Sequence, residues 1–226
     1  MKAFAYCIAL CLPLATTLCL AAEPQPYRAL LAHCKGLDST FRCARAIEAS
    51  QAKGATRKHF ERVEKTLRVN SALGPIEFLD DDTEGDTSIH YSYLTYLPAI
   101  QLHVLHVQYW EGNVYMVVHQ RSGATTKVDG FPNVAPNSLR FVSVSSAGEA
   151  GYDPNSIEVW RVVAGNVSSE FRHEPDASEW SPESSRWVQS RRVRLRGQCN
   201  PISAAPKNCF ALLHQRNLQW RLVHVR

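Results

Sequence analysis

Ala135-Pro136-Asn137-Ser138-Leu139-Arg140-Phe141-Val142 recurs 46 residues later as Ser181-Pro182-Glu183-Ser184-Ser185-Arg186-Trp187-Val188. Both stretches read small-Pro-x-Ser-x-Arg-aromatic-Val, and both lead into residues of high β propensity. A second pair is Val117-Val118-His119-Gln120-Arg121 and Leu212-Leu213-His214-Gln215-Arg216. Each ends one strand-like run and opens a turn to the next. Ile157-Glu158-Val159-Trp160-Arg161-Val162-Val163 holds the corresponding place between them. Repetition at such spacing marks one supersecondary unit used several times. It defines three units, 75–130, 131–175 and 176–226, each predicted to be an antiparallel sheet of about four strands.

Outward from the repeat, period-two alternation predicts strands over 89–96, 100–110, 114–119, 125–128, 140–144, 156–163, 167–171, 187–195, 210–214 and 219–225. Glu111-Gly112-Asn113 and Ser122-Gly123 are hairpin turn signals. Leu67-Arg68-Val69 and Ile76-Glu77-Phe78 form a further pair, joined at Gly74-Pro75. Before them the pattern is helical. Leu30 and Leu31 sit in a short helix ended at Gly36, and Asp38 or Ser39 caps a longer one. Phe41, Ala44 and Ile47 fall at helical spacing, as do Phe60, Val63 and Leu67, with Gly54 bending or dividing the helix.

The chain opens with Lys2, a run of apolar residues from Ala3 to Leu20, and the small residues Ala21-Ala22. That order predicts a cleaved secretory signal, 1–22. Thr16-Thr17-Leu18 ahead of Cys19 lacks the small residue of a lipid-attachment site. Cleavage leaves roughly 200 residues, enough to bury a core. No later run is apolar enough to span a membrane. The expected organisation is a signal (1–22), a helical segment (23–70) and a β-repeat domain (71–226), in a periplasmic or secreted protein.

Four cysteines lie beyond the signal: Cys34, Cys43, Cys199 and Cys209. An even number in an oxidising compartment implies disulfides. Of the three pairings, the local one closes two short loops. Zinc needs closer Cys pairs than these.

The turn-and-strand motif at 132–144, followed by Ile157-Glu158-Val159-Trp160, resembles the Ser-Pro-Asp-Gly signature of WD40-like and TolB-type β-propeller repeats. The resemblance covers about 110–226 and implies blade-like sheets. Asn137-Ser138 and Glu183-Ser184 replace the usual Asp-Gly, and three units are too few to close a ring. The expected fold is therefore mainly β, a partial propeller or a sandwich, preceded by helices. Tyr109-Trp110-Glu111-Gly112…Tyr115 is similar to a strand pair in secreted bacterial proteins of no known activity.

Candidate chemistry is sparse. Asp80, Asp82, Glu84 and Gly85 sit at calcium-loop positions, but Tyr91 stands where the bidentate Glu belongs, so a solvated acidic turn is expected. His103 and His106 are three apart, which on a strand puts them on opposite faces, and His90 is nearby. They are not expected to share a metal. His119 and His214 occupy equivalent turns. Nucleophile and phosphate-loop motifs are missing, so no catalytic residue and no cofactor is assigned. Glu111, Asp129, Asp153 and Glu158 are the carboxylates available to an exported glycan or peptide hydrolase, the alternative reading. Tyr91, Tyr93, Tyr109, Trp110 and Tyr115 are the candidate binding residues, as an aromatic patch for an envelope protein or a glycan. Trp160, Trp180, Trp187 and Trp220 are expected between sheets.

The net charge is +4, and Arg186, Arg191, Arg192, Arg194 and Arg196 bunch together. On a strand these are expected to divide between faces at a solvated edge. Export makes a nucleic-acid partner unexpected. The leading expectation is an exported non-enzymatic binding protein of the bacterial envelope, such as an inhibitor or immunity protein.

Overall fold

A computed structural model describes residues 26–147, 151–199 and 207–225. Helix α1 (Pro26–Leu30) runs into a 3-10 turn (Leu31–Cys34), and α2 (Thr40–Gln51) follows. The Ser39 hydroxyl caps α2 by accepting from the Arg42 amide at 3.2 Å. The Cys34–Cys43 disulfide staples the 3-10 turn to α2, and Cys199–Cys209 joins two strands. The local pairing is thus the one formed.

All strand pairs are antiparallel. The first sheet has three strands, β1 (Phe60–Val63), β2 (Thr66–Ser71) and β3 (Gly74–Leu79). The second has β4 (Ile89–Leu97), β5 (Leu102–Tyr109), β6 (Asn113–His119) and β7 (Thr125–Val128) in sequence order. The third has β8 (Asn133–Val134), β9 (Arg140–Ser145), β10 (Ser156–Val163) and β11 (Asn166–His173). The fourth has β12 (Trp180–Gln189), β13 (Arg192–Cys199), β14 (Lys207–Arg216) and β15 (Gln219–Val225). Three four-stranded units are present, but the first begins at Ile89 and not at 75, because β3 pairs with β2 in a smaller sheet that precedes them.

The sheets stack face to face in chain order, because alternation gives each interior sheet two apolar faces. Phe60, Leu67, Val69 and Phe78 of the first meet Tyr93, Leu105 and Val118 of the second. Leu102, Val104 and Val117 meet Phe141 and Val162 of the third, with Leu30, Ala44 and Ile47 of the helices joining that layer. Val142, Ile157 and Val159 meet Val193, Leu195 and Leu213 of the fourth, and Trp180 and Trp220 fill the same layer. None of the three clusters joins the first sheet to the fourth. The described sheets therefore form an open row with the layering of propeller blades.

Several local expectations fail for identifiable reasons. The helical spacing of Phe60, Val63 and Leu67 is coincidental: after Gly54 the chain makes a 3-10 turn (Ala55–His59) and then enters β1. The β2–β3 turn falls at Ala72-Leu73, and Gly74-Pro75 begins β3. The predicted strand over 187–195 is two strands, broken at Ser190-Arg191. The Pro136 and Pro182 motifs are not equivalent. Pro136 lies in the turn between β8 and β9, whereas Pro182 lies within β12 at a bulge. The other echo is in register, since β6, β10 and β14 are each the third strand of their sheets. Arg192, Arg194 and Arg196 share one face, because residues two apart on a strand must, and β13 is an interior strand.

Two glycines permit close backbone approach. A Cβ on Gly197 would lie 2.1 Å from the Ser181 carbonyl at the β12 bulge. One on Gly130, between β7 and β8, would lie 2.0 Å from the Val144 carbonyl oxygen and 2.6 Å from its carbon. Backbone cannot rotate away as a side chain can. Gly130→Ala is expected to cost about 3 kcal/mol, read as a lower urea midpoint. An unchanged midpoint would contradict this packing.

Candidate functional site

The helices close over one face of the second sheet and leave a cleft of about 350 Å³. Small-ligand sites begin near this size, roughly 300 Å³. Its mouth is lined by Leu31, Leu37, Asp38, Ser39 and Thr40, and its floor by Ile47, Leu94, His106 and Tyr115. The described residues hold two ionic clusters, and the first of them fixes this geometry. In the first, Arg62 donates to both Glu48 carboxylate oxygens at 2.9 Å and to Asp80 at 3.1 Å, and Arg45 also pairs with Asp80. Glu48 and Asp80 in turn accept from the Tyr93 and Tyr91 amides, at 2.7 and 2.8 Å. Those amides are donors of the edge strand β4, so α2 is tied down where the edge would otherwise be unpaired. Asp80 is therefore committed inward. Asp81 binds Thr83, and Asp82 pairs with Lys65, which accounts for the acidic turn.

His103 and His106 face opposite ways, as their spacing requires. His103 is buried toward the first sheet, between the Tyr93 hydroxyl (3.1 Å from Nδ1) and Gln120 (2.6 Å from Nε2). His106 lines the cleft and is 5% exposed. Its Nδ1 is buried and has no hydrogen-bond partner. Burial pulls its pKa down to about 4, and the neighbouring Asn113 side chain offsets this only in part. The ring is therefore neutral near pH 7, with one donor and one acceptor nitrogen. Beside it the Tyr115 and Tyr27 hydroxyls bond each other at 3.0 Å, and Asp153 holds the Asn113 side chain. The site combines two tyrosines, a neutral imidazole and an apolar floor.

The five candidate aromatic residues do not form one patch. Tyr91 and Tyr93 share a face, as alternation requires, but it is turned into the core, where Tyr93 stacks on Phe60 and Tyr91 packs near Phe78. Tyr109 is half-buried under the Lys127 ammonium. Trp110 is exposed beside the β5–β6 turn. Tyr115 alone lines the cleft. Tyr27 and His106 complete it, and helical pairing with a distant strand leaves no local signal for either. His119 serves its turn, Nδ1 accepting from the Arg121 and Ser122 amides.

The four candidate carboxylates are also dispersed, with one exception. Glu111 is exposed near the β5–β6 turn, and Asp153 caps Asn113. Asp129 and Glu158 do meet, in the second ionic cluster. Arg172 pairs with both, Ser143 donates to Glu158 at 2.8 Å, and Ser156 donates to Asp129 at 2.7 Å. Glu158 also accepts from the Asp129 amide. A carboxylate pair bridged by a guanidinium and saturated with internal donors is arranged to join β10 and β11 to the end of β7. It is not arranged to protonate a leaving group.

No family model matches the chain, and no curated protein matches it. Among solved structures, the N-terminal domain of Nup159 is similar over 74% of this chain and 47% of its own, at 10% identity and a TM-score of 0.37. A post-proline cleaving enzyme from Rickettsia typhi is similar over 72% of this chain and 26% of its own, at 9% identity and a TM-score of 0.35. The chain spans less than half the length of either. Likeness at this level assigns neither family nor activity.

Proposed function

We propose that this is an exported, non-enzymatic binding protein of the bacterial envelope, and that its ligand is a small neutral molecule bearing hydroxyl groups, such as a glycan fragment. The observation that carries the reading is the unpartnered Nδ1 of His106 beside the cleft. A buried polar atom left unbonded costs about 1–3 kcal/mol, which a ligand hydroxyl would recover once the cleft lining shifts to admit it. A hydroxyl suits either tautomer because it both donates and accepts. Tyr27 and Tyr115 line the same cleft and place their hydroxyls beside it. The two disulfides fit an oxidising compartment, and among the described residues no helix is long and apolar enough to cross a membrane. The blade-like row fits an open portion of a WD40-like or TolB-type propeller. An inhibitor or immunity role would place a partner's glycan or loop at the same mouth.

Calorimetry against a panel of neutral mono- and oligosaccharides tests this. A binder should lose about tenfold in affinity with His106→Leu and be recovered unchanged after incubation. Cleavage of the bound glycan would favour the hydrolase alternative. Binding indifferent to His106→Leu would remove the cleft as the site.

A further inference from the structure

The fourth sheet has one face in the core and one turned outward. Arg192, Arg194 and Arg196 stand along the outward face of β13. Arg186 of β12 pairs across to Arg194, and Arg221 of β15 pairs across to His214. From 180 to 226 the sequence has nine Lys or Arg against one acidic residue, Glu183, although the whole chain carries only +4. Glu183 accepts from Gln198 at 2.6 Å. Among the described residues none of these five arginines has an ion-pair partner, and Arg196 bonds only the neutral Asn208. Elsewhere most arginines are paired: Arg42, Arg45, Arg62, Arg68, Arg140 and Arg172 each meet a carboxylate, while Arg28, Arg57, Arg121 and Arg161 have no ion pair among the described residues but do not gather on one face. Apolar side chains stand among the unpaired arginines. Phe210 is opposite Arg196 and 44% exposed, Val223 is in the Arg194 row and 48% exposed, and Val188 is at the β12 bulge.

We propose that this face docks on a bilayer surface rich in anionic phospholipid. Charge complementarity selects the headgroups, since a guanidinium fork matches phosphate oxygens. The apolar residues distinguish a bilayer from a soluble polyanion. Phe210 and Val223 gain by entering the headgroup boundary, whereas a polyanion would be read through charge alone. The docking is peripheral and independent of what the cleft binds, so either site can fail without the other.

The test is co-sedimentation of the processed chain recovered from cells. The vesicles are phosphatidylcholine alone, or phosphatidylcholine with one-third phosphatidylglycerol. Binding is expected only to the anionic vesicles and should weaken as salt shortens the Debye length. Arg194→Glu with Arg196→Glu should reduce the bound fraction at least about tenfold. Phe210→Ser should reduce it several-fold, and Arg57→Glu on the helical side should leave it unchanged. Melting curves are the control that each variant is folded. Equal sedimentation with neutral vesicles, or none with anionic ones at low salt, overturns the proposal. So does heparin binding as tight as vesicle binding with Phe210→Ser without effect, because the face would then read charge alone.

Discussion

Acidification from pH 7 to pH 4 is expected to remove about 6 kcal/mol of folding stability, through His103 and His106 alone. Burial holds both rings near pKa 4, against an ordinary value of 6.5. Between those values the unfolded chain takes up a proton at each site and the folded chain does not. Stability is therefore complete above pH 6.5 and is lost as pH falls toward 4, by about 3 kcal/mol per ring. His59 and His119 act in the same direction, both lowered mainly by burial. The loss rivals the whole stability of an ordinary domain, about 5–15 kcal/mol. Urea unfolding at a series of pH values measures it. His106→Gln should keep only the half due to His103. A flat profile between pH 6.5 and 4 would mean that the rings are not buried as described.

Arg172→Met is expected to cost about 3 kcal/mol, the lower end of what breaking a buried ion pair costs. The guanidinium is 45% exposed, whereas Glu158 is 1% exposed and cannot turn to water when its partner goes. Asp129 and Glu158 would then face each other with only serine hydroxyls and an amide between them. Because uncompensated charge is the cause, Glu158→Gln in the Arg172→Met background should recover part of the loss. Additive losses would place the effect in packing instead. The outcome also bears on chemistry: a carboxylate pair whose removal is chiefly a stability event is structural.

Much of the fold is legible in the sequence because sheet signals are local. Alternation and glycine turns locate nearly every strand from Ile89 to Val163, and the cysteine spacing anticipates both staples. The failures come where two causes produce one pattern. Phe60, Val63 and Leu67 are apolar at helical spacing but serve two short strands, and the small-Pro-x-Ser match joins a turn to a bulge. The arginines of β13 are two apart, so their common face is readable from the same alternation that identifies the strand. The site is less legible, because it depends on contacts between residues far apart in sequence. The three-residue spacing separates His103 from His106 as alternation requires. That spacing carries no sign that α1 and α2 come back over the His106 side, and the cluster of Arg45, Glu48, Arg62 and Asp80 that ties α2 there has no local signature.

The proposal that the cleft is a ligand site rests on His106, so its ring nitrogens are the place to look. Nitrogen NMR of that ring, followed through pH and through a titration with neutral saccharides, is the direct measurement. The expected result is a ring that stays neutral down to about pH 5, with ring-nitrogen signals that move saturably as ligand is added. A ring protonated at pH 6, or one unmoved while another surface responds to the ligand, would contradict it.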